Sequence, residues 1–171
     1  MLTFYSEDSR LRQARTELHD GALVTPFECP ERLDLVLNQL RQAKLGDIRT
    51  PLAYGLAPVL AVHDEQYVTF LANCWEAWGA AGHQGEAIPN IWPARTMRGD
   101  RIPRSISGQL GYYALAAETS ISEGTFEAAM ASKDVALGAV EHTLQTGNPS
   151  FGLCRPPGHH AAHDQFGGYC F

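Results

Sequence analysis

A chain of 171 residues is long enough for one domain with its own hydrophobic core and too short for two domains of ordinary size. Its 13 Lys and Arg residues stand against 19 Asp and Glu residues, and the resulting net charge of −6 argues against nucleic acid as a partner. Hydrophobic residues make up 44% of the chain, and its glycines and prolines are not gathered in one tract, so the sequence predicts a globular fold.

The patterns of apolar residues and of cysteines indicate where in the cell the protein is located. The first residues lack a basic segment followed by a long apolar run, and no uncharged apolar stretch approaches the ~20 residues that cross a membrane. We therefore expect a cytoplasmic protein with no membrane partner. The four cysteines lie far apart without a C-x-x-C spacing, which predicts neither a disulfide framework nor a zinc knuckle.

The first half of the chain predicts one strand and two helices. The apolar run at residues 2–5 indicates an opening strand. Pro30 can occupy the first position of an amphipathic helix that runs towards Gly46. Asp64 can cap a second helix, which carries a stripe of aromatic and apolar residues and ends at the glycines of residues 79–82.

The second half continues the alternation of helices and strands. Glycine and proline interrupt residues 83–104, which we expect to form a long insertion loop. Helical spacing then predicts a third helix over residues 106–121 and a fourth from Thr125 to Gly147. The apolar run at residues 150–154 predicts a buried strand. Strands that alternate with helices favour an α/β fold with a parallel sheet.

The end of the chain suggests that this sequence is the N-terminal part of a single domain. Phe171 follows directly on a new apolar run that begins at Tyr169, without a capping helix or a polar tail. A parallel sheet of so few strands leaves edges and faces uncovered. We therefore expect residues 1–171 to be a truncated chain.

Histidines cluster at the end of the last predicted strand. His159, His160 and His163 are three of the seven histidines and fall within the last 13 residues. In open α/β sheets, ligands bind beyond the carboxyl ends of the strands. The Pro-Pro-Gly turn at residues 156–158 stiffens the backbone in front of the histidine pair. Two imidazoles on a stiff loop can supply one proton shuttle and one electrostatic stabiliser near neutral pH.

Other interpretations of these residues stay open at this point. His160 and His163 have the H-x-x-H spacing of metal ligands, although the surrounding glycines favour a loop over the helix that this spacing needs. Cys154 or Cys170 could act as a nucleophile beside a histidine, but both lie in apolar runs where an inert thiol is the rule. A tandem histidine can also lie on a surface loop without any role.

The residues around the histidine pair resemble a known family. The sequences RPPGHHA at residues 155–161 and FGGYCF at residues 166–171 resemble the active-site segment of the histone deacetylase superfamily, and within it the acetylpolyamine amidohydrolases. The resemblance extends over nearly the whole chain, through short matches at residues 4–8, 16–18, 26–28, 62–64, 85–88, 101–103, 108–109 and 111–113.

This resemblance implies an arginase/deacetylase-like parallel sheet flanked by helices, and zinc-dependent hydrolysis of an acetylamide. His160 corresponds to the general base and acid, and His159 to its electrostatic partner. Gly168 corresponds to the residue whose carbonyl binds the scissile amide N–H, and Tyr169 to the wall of the substrate tunnel, with ordinary core packing as the alternative for this tyrosine. Glu118 corresponds to the acidic residue that meets the distal ammonium of a polyamine, with a solvated helix glutamate as the alternative.

The sequence departs from the family pattern in two respects. Ser107 stands where the family has a second glutamate, which weakens the case for long polyamines. The family's zinc ligands and its transition-state tyrosine belong to later motifs, so residues 1–171 are expected to contain no metal ligand and to be inactive alone. Residues 83–104 resemble the insertion through which these enzymes form homodimers and narrow the tunnel entrance.

The function that the sequence predicts is zinc-dependent deacetylation of small acetylated amines, such as acetylputrescine or acetylcadaverine. Two alternatives remain: a deacetylase that acts on acetyl-lysine in proteins, and a non-catalytic remnant of a shortened gene. The long insertion bears on the first alternative, because a dimer that closes the entrance excludes bulky protein substrates.

Overall fold

The computed structural model describes residues 1–171 and contains a three-stranded parallel sheet, a hairpin and five α-helices. The strands are β1 (Leu2–Phe4), β2 (Glu17–His19), β3 (Ala22–Val24), β4 (Ile48–Arg49) and β5 (Ser150–Gly152). The helices are α1 (Glu31–Gln42), α2 (Ala57–Leu60), α3 (Glu65–Ala80), α4 (Ile106–Tyr113) and α5 (Thr125–Thr146), with a 3-10 helix at Glu7–Arg10. The parallel sheet has the order β4-β1-β5, and β2 pairs with β3 antiparallel.

Helices pack on both faces of the parallel sheet. On one face, Tyr5 and Leu153 form a buried cluster with Leu33 and Leu37 of α1. On the other face, a Cβ at Gly138 of α5 would lie 3.1 Å from the Phe4 ring, so the absence of a side chain lets α5 approach β1. Successive strand residues point to opposite faces, which is why neighbours in β1 serve different helices. The predicted α/β class, a parallel sheet flanked by helices, is confirmed.

A second and larger core lies between α3, α4 and the C-terminal segment. Phe70 of α3 stacks on Tyr113 of α4 with ring centroids 4.7 Å apart, and Phe166 stacks on the other side of Phe70 at 6.2 Å. Leu110 and Ile121 are buried in the same cluster. Aromatic contacts of this kind contribute roughly 0.5–1.5 kcal/mol each beyond their buried area. This core ties the C-terminal segment to helices that lie far away in the sequence.

Local sequence signals account for most of the helix ends. The Asp64 carboxylate accepts hydrogen bonds from the N–H groups of Gln66 and Tyr67, which confirms it as the N-cap of α3. Pro30 directly precedes α1, as its preset φ favours. Gly147 has a φ of +70° and ends α5, which is the left-handed conformation that glycine adopts without steric cost.

The predicted third helix is too long, because α4 ends at Tyr113 and not near residue 121. Leu115 donates its N–H to the Phe166 carbonyl at 2.7 Å, and Ile121 forms an antiparallel bridge with Ala87. Once partners from distant segments satisfy these backbone groups, the helical hydrogen bonds are no longer needed. The apolar residues beyond Tyr113 therefore have helical spacing because they are buried against other segments, and they do not form a helix.

Residues 83–104 contain no helix and no strand of the two sheets, and their assignment as an insertion loop stays a prediction. The loop follows α4 closely, because a Cβ at Gly111 would lie 1.5 Å from the Ile91 carbonyl oxygen. Trp92 donates its indole N–H to the Ala114 carbonyl at 3.0 Å. The assignment of residues 1–171 to a single domain stays a prediction. None of the helices is both long enough and apolar enough to cross a bilayer.

Candidate active site

A buried arginine, Arg155, lies between strand β5 and the histidine pair. Arg155 is 3% exposed and donates from Nη1 to the Ser9 carbonyl at 2.6 Å and from Nη2 to the Arg12 carbonyl at 2.8 Å. These carbonyls belong to the segment that follows β1, so the guanidinium joins two neighbouring strand ends. The loop that carries the histidines is thereby anchored at its start.

A buried carboxylate lies between two arginines under this loop. Glu28 accepts a hydrogen bond from Arg12 Nη1 at 3.0 Å, and its other oxygen lies 2.7 Å from Arg155 Nε. Burial lowers the pKa of Arg12, and the charge of Glu28 opposes that effect. The Arg12 guanidinium also lies 5.3 Å from the centre of the Phe171 ring, a cation–π distance. The cluster of Arg12, Glu28 and Arg155 is named here the ionic centre.

The two predicted catalytic histidines lie side by side at the surface. The rings of His159 and His160 have centroids 4.3 Å apart and planes inclined by 51°, and both residues are exposed. His160 donates its backbone N–H to Cys170 Sγ at 3.3 Å. A Cβ at Gly168 would lie 2.5 Å from His160 Cδ2, so only a glycine leaves room for this ring. Both imidazoles are open to solvent, so each can exchange a proton with water or with a bound ligand.

The turn beneath the histidines contains two consecutive residues in the left-handed region. Gly168 has a φ of +58° and Tyr169 a φ of +65°. This conformation costs a non-glycine residue about 1–2 kcal/mol, so the surrounding contacts must hold Tyr169 in it. The Gly168 N–H donates to Glu118 Oε1 at 2.7 Å, and the Tyr169 N–H donates to Thr119 Oγ1 at 2.8 Å. Two adjacent side chains from a distant segment therefore fix the turn.

The Tyr169 side chain is held by a buried carboxylate. Its hydroxyl donates to Glu17 Oε1 at 2.7 Å, and Glu17, which is 2% exposed, accepts the Phe27 N–H at 3.1 Å. Burial raises the pKa of Tyr169 to about 12, with the hydrogen bond to Glu17 acting in the same direction. The phenol therefore stays protonated and serves as a hydrogen-bond donor to Glu17.

An open cavity of about 510 Å³ adjoins the histidine loop. His159 and Tyr169 line one side of it, and apolar side chains of α1 with Arg32 line the other side. Its size matches the range of small-molecule sites in proteins. His159, the predicted electrostatic partner of His160, and Tyr169, the predicted tunnel wall, therefore face a space large enough for a small ligand.

The structure brings the predicted site residues into one chain of contacts. Glu118 contacts Gly168, Gly168 lies against His160, and His160 lies beside His159. Glu118 is half-buried in the segment after α4, so it is not a solvated helix residue. Sequence reasoning did not find Thr119, although a hydroxyl beside a candidate glutamate was a usable signal. It also missed the roles of Glu17 and Glu28, for which the sequence offers no local signal.

The other interpretations of the histidines and cysteines find less support in the geometry. His163 hydrogen-bonds through Nδ1 to the Val62 carbonyl at 2.8 Å, and its own carbonyl accepts the Asp64 N–H at 3.0 Å, so it secures the start of α3. Burial raises the pKa of the Cys154 and Cys170 thiols, which keeps them protonated and poorly nucleophilic.

The arrangement of possible ligand side chains bears on the zinc that the family resemblance implies. No group of three His, Cys, Asp or Glu side chains converges in a way that could ligate one. A zinc site needs three or four such ligands. The histidine pair and its neighbours therefore do not fit by themselves the zinc that the family resemblance implies.

Comparison with known proteins identifies close relatives of the whole chain. Residues 26–171 match the profile of the histone deacetylase domain. An acetylpolyamine amidohydrolase of Mycoplana ramosa is 48% identical over 171 residues, which is 100% of this chain and 50% of that protein. Acetylpolyamine amidohydrolase 1 of Pseudomonas aeruginosa is 44% identical over 172 residues, with coverage of 100% and 50%.

The fold comparison agrees with the sequence comparison. A crystal structure of an acetylpolyamine aminohydrolase from Burkholderia pseudomallei superposes with a TM-score of 0.91 at 32% identity, and the match covers 100% of this chain and 49% of that one. The chain spans about half the length of the relatives it matches.

Proposed function

Because this chain belongs to the histone deacetylase family, we propose that it supplies the proton-transfer and substrate-facing part of an enzyme that deacetylates small acetylated polyamines. The observation that carries the proposal is that His160 contacts both His159 and the Gly168 turn, while His159 and Tyr169 line an open cavity. The acetylpolyamine amidohydrolases that match the whole chain point to the substrate class.

The two histidines divide the proton chemistry between them in this proposal. His160 accepts a proton from the attacking water and returns it to the departing amine, which leaves poorly unless it is protonated. His159 stabilises the charge that forms on His160, because the ring centroids are 4.3 Å apart. Imidazole suits both tasks, since its ordinary pKa lies near neutral pH.

The substrate is bound through its amide and its charged end. The Gly168 carbonyl accepts the scissile amide N–H, and the Tyr169 ring forms a wall of the substrate channel. Glu118 attracts a cationic distal amine. The net charge of −6 also attracts a cationic substrate at long range. Ser107, which hydrogen-bonds to His83 Nε2 at 3.2 Å, adds no second negative charge here, so short diamines are better substrates than long polyamines.

Zinc dependence belongs to the proposal through the family alone. Residues 1–171 contain no convergent group of three ligands, so the ion would be held by residues outside this segment. We accordingly propose that these 171 residues are inactive without that contribution.

The remaining parts of the proposal concern partners and compartment. The insertion at residues 83–104 exposes Ile91 and Met97 by 59% and 64%, and exposed apolar side chains of this kind suit a contact with a second copy of the chain. We propose a cytoplasmic homodimer that binds neither nucleic acid nor membrane.

The direct test uses the complete polypeptide that contains residues 1–171, loaded with zinc. Turnover of acetylputrescine is compared with turnover of an acetyl-lysine peptide of equal concentration. Faster release of acetate from acetylputrescine is expected. Faster turnover of the peptide would assign the enzyme to protein deacetylation, and an intact mass equal to that of 171 residues without activity would support a non-catalytic remnant.

A further inference from the structure

The contact between Glu118 and Gly168 offers a role for Glu118 other than attracting the substrate's charge. Its Oε1 atom accepts the Gly168 N–H at 2.7 Å and the Thr119 hydroxyl at 3.1 Å. Thr119, which is fully buried, accepts the Tyr169 N–H with the same hydroxyl. One glutamate and its neighbour thus satisfy two consecutive backbone donors that lie 50 residues further along the chain.

These two donors belong to the turn on which the His160 ring lies. A Cβ added at Gly168 would lie only 2.5 Å from Cδ2 of the His160 ring, so the ring fills the space that a side chain would need. Cys170 closes the arrangement, since Sγ accepts the His160 N–H at 3.3 Å and the thiol donates to the Gly168 carbonyl at 3.4 Å. A shift of the Gly168 backbone would therefore move both the imidazole and the carbonyl that faces it.

We propose that Glu118 is a positioning residue, which acts through the Gly168 N–H to fix the His160 imidazole and the Gly168 carbonyl. The inference rests on the proposed function, because it concerns the same site. Positioning and charge recognition require different properties of the Glu118 side chain. Positioning needs an acceptor oxygen at Oε1, whereas recognition of an ammonium group needs the negative charge. Glu118 can fill both roles at once, because Oε1 holds the turn while Oε2 remains for an ammonium group.

The test compares two substrates and two variants of the complete, zinc-loaded polypeptide. Acetylputrescine carries the distal ammonium, and N-butylacetamide is a neutral analogue of similar length. Glu118→Ala removes the acceptor and the charge, and Glu118→Gln removes only the charge because the amide oxygen can still accept. Glu123→Ala is the matched control, since this exposed glutamate is in the same segment and its carboxylate makes no hydrogen bond or ion pair.

Glu118→Ala is expected to lower kcat/KM for both substrates by roughly 10- to 100-fold, the cost of misplacing catalytic groups by a fraction of an ångström to an ångström. For acetylputrescine the loss is expected in kcat, and Glu118→Gln is expected to restore kcat to within about threefold of wild type. An unchanged kcat/KM for N-butylacetamide in Glu118→Ala would overturn positioning, and so would a Gln variant whose kcat is as low as that of Ala.

Two further measurements test the inference if the Glu118→Ala variant does not fold or if the proposed function fails. If Glu118→Ala does not fold, Thr119→Val and Thr119→Ser replace it, and only the serine variant is expected to retain kcat. If the wild-type protein hydrolyses neither amide, the proposed function fails, and the histidine ring resonances decide instead. The His160 resonances should then shift in Glu118→Ala and return in Glu118→Gln, and unshifted resonances would overturn positioning.

Discussion

Two loops without regular structure, residues 83–104 and residues 155–171, are held in different ways. The second loop is fixed by its own buried Arg155, which donates to distant carbonyls, and by the side chains of Glu118 and Thr119, which accept the N–H groups of its turn. The first loop is held to α4 by hydrogen bonds that Gln109 and Tyr112 donate to its carbonyls and by the indole of Trp92, and it leaves large apolar side chains exposed. The difference suits the two proposed roles, because proton transfer needs fixed atoms and contact with a partner needs an accessible apolar surface.

The largest effect is expected from the histidine pair. His160→Ala should lower kcat by roughly 100- to 10,000-fold, because it removes the group that moves the proton. Metal analysis of the complete polypeptide should find stoichiometric zinc in this variant. His163→Ala is the control from the same loop and should retain most of kcat, since His163 contacts only the backbone before α3. Loss of zinc in either variant would revive the H-x-x-H metal interpretation.

The ionic centre is expected to dominate the stability of the second loop. Glu28→Ala leaves Arg12 and Arg155 buried without their common counter-ion, which should lower the free energy of unfolding by about 3–5 kcal/mol. Asp34→Ala breaks the ion pair with Arg10, and it should cost much less, because the Asp34 side chain is 55% exposed and solvent screens the pair. Urea denaturation of both variants measures the difference. Equal losses would mean that burial does not distinguish these pairs.

The Tyr169 phenol should make stability depend on alkaline pH. Burial raises its pKa to about 12 from the usual 10, so its stabilisation is complete below pH 10 and disappears as the pH rises towards 12. Tyr169→Phe should abolish this part of the alkaline loss, and it should cost about 1 kcal/mol near neutral pH through the lost bond to Glu17. Ultraviolet absorbance of tyrosinate, compared between wild type and variant, follows the titration. A difference spectrum that titrates at pH 10 would contradict the raised pKa.

The smallest effect on stability is expected in the first loop. Met97→Asp should change the free energy of unfolding by no more than about 0.5 kcal/mol, because this side chain is 64% exposed. The same variant should weaken self-association, as measured by sedimentation at several concentrations. An unchanged association constant would remove residues 83–104 from the proposed interface.

Sequence reasoning predicted the elements that have strong local signals. The Asp64 cap, the glycine that ends α5 and the apolar stripe of α3 each depend on neighbouring residues alone, and all three are present in the structure. Strands β2, β3 and β4 were missed, because two or three residues reveal no period and β2 and β4 each contain a charged residue that breaks any apolar run. The third predicted helix was too long, because the spacing of Ala117 and Ile121 reflects burial against distant segments.

The sequence by itself determined the family, the sheet-and-helix class and the histidine pair, since these are written in contiguous motifs and local periodicity. Only the tertiary structure decided that Glu118 holds Gly168, that Glu28 joins two buried arginines and that Glu17 holds Tyr169. These carboxylates all contact groups far from them in the chain. Their partners are chosen by the burial of charge and backbone donors, which the order of residues does not reveal.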